Sequence, residues 1–273
     1  MRTDPLLTIG NAFNMEKVES IGFRFGEKGT HTSRTIMYDD LSTVLSICGN
    51  GSHRDKYLEE IIENNCLAKR TVATRKLSAQ RLSELYFLDN QSPVFRVFRN
   101  LWENEFDEGR RIITLLCALA RDPLLRITAP VVLEIKAGNE LARQPLTDAL
   151  SLAADGRFND DILDKVVRNT ASSWTQSGHL QGRGRKTRKK VIPTAASVTF
   201  ALFLGYCTGS RGEPLFSTFW SRVFDVSSEE LIYHAMDARK LGLLDITQSG
   251  GIMEISFLRI LSEEERKIIH GTN

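Results

Sequence analysis

The sequence predicts a mainly α protein, a helical body with a C-terminal winged-helix-like domain that ends in a β-hairpin. Apolar residues recur at helical spacing in one segment after another, joined by short links, which argues for layers of helices. Helix-starting residues precede several of these runs. Alternating, strand-like text with a glycine turn appears only near the end, as LLDIT and IMEISF joined by QSGG.

The first 35 residues are weakly patterned. Gly10, Gly22, Gly26 and Gly29 interrupt long helices, and IGFRFG reads as a short strand. From His31 the pattern turns helical: Thr32 or Ser33 is placed to cap, and Met37, Leu41, Val44 and Leu45 share a face. CGNGS ends that helix. A second helix is expected over 55–64 and a third, capped by Thr71, through Leu85. Pro93 opens another. The apolar run 109–120 reads as a central core helix. Pro123 and Pro130 then act as helix punctuation, with Pro130 in the first turn of a new helix behind Thr128. Residues 159–176 form the next, ended by glycines in SGHLQGRGR.

After Pro193 come apolar helices over 194–206 and 214–224. Ser227 followed three residues later by Glu230 is a capping box for a third helix, closed by Gly242. Gly250-Gly251 is then a hairpin signal. Three helices and a hairpin give the winged-helix order. The expected division is a helical body over 1–190, with a helix-turn-helix-like hairpin at 55–86, and a winged-helix-like domain over 191–273.

Charge is unevenly placed. The chain totals +2, but GRGRKTRKKVIP (182–193) and KRTVATRKLSAQR (69–81) hold eleven cations and no acid, so the remainder sums to −9. Positive charge gathered on an otherwise acidic protein is the electrostatic footprint of a polyanion-binding surface. The first stretch offers Arg183, Arg185, Lys186, Arg188, Lys189 and Lys190, with glycines that let backbone approach phosphate; its other reading is a solvated linker. The second offers Lys69, Arg70, Arg75, Lys76 and Arg81. If 55–86 is a helix-turn-helix, Thr71, Thr74, Arg75 and Lys76 face the major groove; as a plain helical hairpin its cations face water, and the spacing leaves both open. His179 is expected to touch phosphate or water. The acids Glu229, Glu230 and Asp237 on the 228–241 helix argue against phosphate contact there.

Other chemistry is thinly represented. Asp122, Glu134 and Lys136 match a loose nuclease pattern, but neighbours two apart on a helix diverge. No histidine forms a visible pair with Ser, Cys or acid, and neither a P-loop nor GxGxxG occurs. No enzyme activity, metal or cofactor is expected. The four cysteines are scattered, the opening MRTDPLLTIGNAFN is polar too early for a secretory leader, and no apolar run approaches about 20 residues; together these predict a cytoplasmic protein without membrane contact.

The segment YLEEIIENNCLAKRTVATRKLSAQRLSELY resembles the opening signature of the BrxA family of bacterial BREX phage-defence systems, a helix, then KRT, then a second basic helix. ILDKVVRNTASSWTQSGHL is similar to that family's second signature. The resemblance covers about residues 55–190. It implies a helical body similar to the NusB antitermination fold, DNA binding without catalysis, and partnership with other defence-system proteins. Lys69, Arg70, Thr71, Thr74 and Arg75 fall in the first signature and Arg168, Ser172, Ser173 and Trp174 in the second.

The functional expectation is a backbone-directed double-stranded DNA-binding protein; a protein-docking scaffold subunit and a metal-dependent nuclease are the alternatives. Duplex is favoured over RNA because the basic stretches lack aromatics for stacking, Trp174 being the nearest. Contact with about 6–10 phosphates implies about 10³–10⁵ lost in affinity between about 50 and 200 mM salt.

Overall fold

The computed structural model describes residues 4–8 and 15–270. Gly10 lies outside them. Two short helices, α1 (Pro5–Thr8) and α2 (Met15–Ser20), and a 3-10 turn at Thr30–Thr32 lead into α3 (Tyr38–Ile47), α4 (Arg54–Ile62), α5 (Val72–Tyr86) and α6 (Pro93–Glu103). Then come α7 (Asp107–Arg121), α8 (Pro123–Leu133), α9 (Arg143–Ala154) and α10 (Asp160–Gln176). A small hairpin, β1 (Leu180–Gln181) and β2 (Thr187–Arg188), separates these from α11 (Ala195–Cys207). Two 3-10 turns, α12 (Ser228–Lys240), the hairpin β3 (Asp245–Ser249) and β4 (Ile252–Ser256), and α13 (Glu263–His270) complete the order. The protein is mainly helical, with a β-hairpin near its C-terminal end.

Helix α7 is the hub. Asp107 and Glu108 in its first turn and Arg121 in its last complement the helix dipole. Every residue from Ile112 to Arg121 is buried, and α5, α6, α8, α10 and α11 pack around it. A helix apolar on all sides belongs in the middle of a protein. Helix α11 is the second such element, buried from Ala196 to Cys207. It starts on a reciprocal cap: Thr194 Oγ1 accepts from the Ser197 N–H (3.1 Å) and Ser197 Oγ from the Thr194 N–H (2.9 Å).

A run of aromatic rings joins the two halves. Tyr57 meets Phe95 edge-on at 5.6 Å, Phe95 meets Phe98, Phe98 meets Phe200 at 6.1 Å, Phe200 meets Phe203, and Phe203 meets Phe257 at 5.7 Å. Edge, tilted and offset-stacked contacts at these separations suit the ring quadrupole. The buried apolar cluster continues through Val191 and Ala196, across the expected boundary at residues 190–191.

Several expectations about elements change. Residues 21–26 form no strand. Phe23 and Phe25 are buried, and the Arg24 N–H donates to the Ala120 carbonyl at the end of α7 instead of to a partner strand. The helix expected from His31 begins only at Tyr38, after Met37 adopts a left-handed conformation (φ 52°). Pro130 lies inside α8; Asp122 caps that helix through the Leu125 N–H (3.0 Å), and Pro123 takes its first position. Residues 214–224 are two 3-10 turns, Glu213–Ser217 and Ser221–Phe224, because Thr218 turns extended and its hydroxyl receives the Ser221 N–H. Between α11 and β3 the order is therefore 3-10 turns and one α-helix. The β3–β4 pairing is antiparallel, Asp245 opposite Ser256 and Ser249 opposite Ile252. Gly250 and Gly251 both have positive φ (57° and 79°), as a two-residue type I′ turn requires. Among the described residues no helix is long and apolar enough to cross a membrane.

Candidate nucleic-acid interface

The basic run 182–193 begins as an ordered hairpin. The Ser177 and Gly178 turn ends α10, and β1 then pairs antiparallel with β2, Leu180 opposite Arg188 and Gln181 opposite Thr187. Residues 138–141 close its other edge: the Gly138 N–H donates to the Arg188 carbonyl (2.8 Å), the Arg188 N–H to Asn139 (2.8 Å) and the Leu141 N–H to Lys186 (2.7 Å). The tip Gly182–Arg185 is exposed. Gly182 has φ 101°, and a Cβ there collides with the Arg185 carbonyl oxygen, so only glycine makes this turn.

Two residues expected to touch nucleic acid hold the hairpin down instead. Arg188 is buried: its guanidinium pairs with Asp225 and donates to the carbonyls of Val132 (3.1 Å), His179 (3.2 Å) and Lys189. Strand alternation points it inward while its neighbour Lys189 faces solvent. His179 is fully buried, its Nε2 bonded to the Val223 carbonyl (2.9 Å) and its Nδ1 to Ser177 Oγ (2.9 Å). Neither side chain is available to phosphate.

Burial pushes the His179 pKa down to about 3, with the Arg188 charge adding to the effect. Unfolded, the imidazole titrates at about 6.5, so between those values the unfolded chain binds the extra proton. Stability from this site is complete above about 6.5 and is lost as pH falls toward 3, by about 1 kcal/mol per pH unit. Thermal melts from pH 7 to 4.5 are expected to show this slope in the wild type and a shallower one in His179→Asn. Equal slopes in the two proteins contradict the assignment.

The first signature is used largely for the fold. Lys69 pairs with Asp40 (2.9 Å) and Arg81 with Glu84 (2.7 Å), both pairs half-buried. Arg75 donates to the Ile62 carbonyl (3.1 Å), tying α5 to α4. Thr71 caps α5 through the Thr74 N–H, and the two hydroxyls bond to each other (2.8 Å). Lys69, Arg75 and Arg81 are thus drawn into ties within the fold, while Thr71 and Thr74 form a cap at the surface. Arg70 and Lys76 remain exposed, with no partner among the described residues. The α4–α5 link spans residues 63–71, longer than the roughly three- or four-residue turn of a helix-turn-helix. It bends through left-handed Asn65 and Ala68 (φ 51° and 50°).

What remains positive gathers about the hairpin. Arg183, Arg185, Lys189 and Lys190 are exposed, and none forms a close ion pair among the described residues, although the Lys190 charge reaches Asp225. Lys186 is half-buried, its Nζ donating to Thr175 Oγ1 (2.8 Å), and burial lowers its pKa. Arg168 is exposed and paired with Asp164 (2.9 Å), which also binds Arg143. Two cavities flank the hairpin base. One, of about 250 Å³, sets Lys189, Lys190 and Arg111 against Asp107 and Glu108. The other, of about 350 Å³, takes Arg183, Lys186, Arg168 and Arg143 and has no acid among its lining residues.

Sequence reading missed Arg143 because helix α9 carries no strong start signal, and with it the tie to Asp164 on the expected helix α10. Buried Leu146, Leu150 and Ala154 at four-residue intervals are the pattern that marks it. It also missed a buried Ser–His–Asp connection. His31 Nδ1 lies 2.9 Å from Asp122 Oδ2, and His31 Nε2 lies 2.8 Å from Ser173 Oγ. All three are buried, Ser173 also bonds Asn169 and the Ile36 N–H, and Asp122 receives the Thr30 N–H (2.6 Å). Burial raises the Asp122 pKa, but His31 and the N–H donors outweigh it and hold the carboxyl below its ordinary value. This arrangement fastens residues 30–36 to α8 and α10. Asp122 is thereby committed away from exposed Glu134 and Lys136. Among the described residues no group of three or more His, Cys, Asp or Glu is placed to hold a metal ion.

Trp174 is buried and donates its indole N–H to Thr128 Oγ1 (2.8 Å), so it offers no face to a base. Ser172 lines the larger cavity, and Ser173 is interior. No protein-family model and no curated protein matches this chain.

Proposed function

We propose that this chain is a non-enzymatic double-stranded DNA-binding protein that grips the phosphate backbone. The observation that carries this reading is the set of exposed cations Arg183, Arg185, Lys189 and Lys190, none in a close ion pair among the described residues, on and beside a hairpin that Arg188 fixes to the core. Exposed cations outside close ion pairs keep most of their attraction for phosphate, and they supply position more than sequence choice. The burial of Trp174 favours duplex over single strands, which are read by exposed aromatics.

The contact set is smaller than the sequence suggests. About four phosphates give a slope of about −3.6 in log affinity against log salt, a loss of about 100-fold between about 50 and 200 mM. Gel shifts of a random duplex across that range are expected to show it; an affinity indifferent to salt ends the proposal.

We further propose a place in a bacterial phage-defence system of the BREX type. Residues 57–86 and 162–180, which resemble the BrxA signatures, fold as the α4–α5 pair and as α10 running into the basic hairpin. A scaffold reading has one observation in its favour. Leu241 is exposed in a cleft with Glu105 and Thr194, and exposed Phe106 and Ile192 follow and precede those residues closely in the chain. Co-purification with a partner and no affinity for naked duplex selects that reading.

A further inference from the structure

The larger cavity beside the hairpin is lined by two chemically different sets of side chains. Leu141, Leu146, Val167 and Ala171, from the 138–141 segment, α9 and α10, make an apolar floor. Arg143, Arg168, Arg183 and Lys186 line the same cavity. Asp164 holds Arg143 on one carboxylate oxygen and Arg168 on the other. One acid thus sets two guanidiniums side by side and leaves the pair with a net positive charge. Arg183 has no partner among the described residues, and Lys186 is fixed by its bond to Thr175.

We propose that this cavity binds a nucleoside phosphate, its phosphate among the arginines and its base over the aliphatic floor. A bare inorganic anion meets the charges but leaves the floor uncovered. A neutral apolar ligand covers the floor but strips water from cations it cannot pair. A ligand with an anionic end and a flat, weakly polar body satisfies both sets. The volume of about 350 Å³ suits one such small molecule. Arginine's planar fork is the side chain that takes phosphate oxygens in pairs. The site does not depend on the DNA-binding reading; where both hold, nucleotide and duplex compete for Arg183.

The test is calorimetric titration of the full chain with ADP, with inorganic phosphate and adenosine as separate arms. ADP is expected to bind at least about tenfold more tightly than either. Arg183→Ala and Arg143→Ala are each expected to weaken ADP about tenfold with unchanged circular dichroism. Ser172→Trp, which fills the cavity from α10, is expected to abolish binding. Arg239→Ala, on α12, is expected to leave it unchanged. Failure of ADP to bind at millimolar concentration, binding no tighter than phosphate alone, or equal loss in the Arg239 variant overturns the proposal. A failed gel shift with duplex DNA alongside intact ADP binding removes the other reading and leaves this one.

Discussion

Arg188→Ala is expected to destabilise the protein by about 3–5 kcal/mol, the usual result of removing one member of a buried ion pair. The substitution strands Asp225 and leaves the carbonyls of Val132, His179 and Lys189 without their donor. Burial raises the Asp225 pKa even with the guanidinium beside it, so the pair gives little net gain when intact. Breaking it is costly because the carboxylate stays half-buried with only the more distant Lys190 charge to answer it. In a chain of this size the melting temperature is expected to fall by roughly 10 °C. Differential scanning calorimetry checks the number, and Arg188→Met with Asp225→Leu is expected to recover part of the loss. A single Ala variant that melts with the wild type shows that the anchor is not one.

Removing the exposed charges is expected to do the reverse, sparing the fold and erasing the affinity. Arg183→Ala, Arg185→Ala, Lys189→Ala and Lys190→Ala together take away exposed side chains that form no close ion pair among the described residues, so the melting temperature is expected to stay near that of the wild type. Each lost phosphate contact lowers the salt slope by about one. The quadruple variant is therefore expected to bind duplex about 100-fold more weakly at low salt, with nearly no salt dependence left. The loss is expected to be uniform across DNA sequences. Retained affinity moves the contact to Arg70 and Lys76, the exposed pair at the start of α5.

Much of the helical order was legible because caps are local. Thr71, Asn159, Thr194 and Ser227 each accept a backbone N–H three residues on, an interaction written within four letters of sequence. The Gly250-Gly251 turn is equally local. Pro130 misled because Asp122-Pro123, seven residues earlier, is the stronger start, and a helix already packed on its neighbours runs on through a proline. The site was legible only in outline. Composition shows that cations gather at 69–81 and 183–190, but not which of them the fold turns inward. Asp40 and Asp225 lie far along the chain from Lys69 and Arg188, and nothing near those cations announces them. The His31–Asp122–Ser173 cluster joins three distant segments for the same reason.

Where β2 ends, structure and surface alternate from one residue to the next: Arg188 inward, Lys189 outward. Shifting that strand by a single position exchanges the two, seating an ammonium where a five-donor fork belongs and exposing the fork to water. The outer charge pattern is geared to the interior like teeth on a shared shaft. Insertions or deletions between 183 and 190 therefore act on both at once, whereas point changes at the tip act on one.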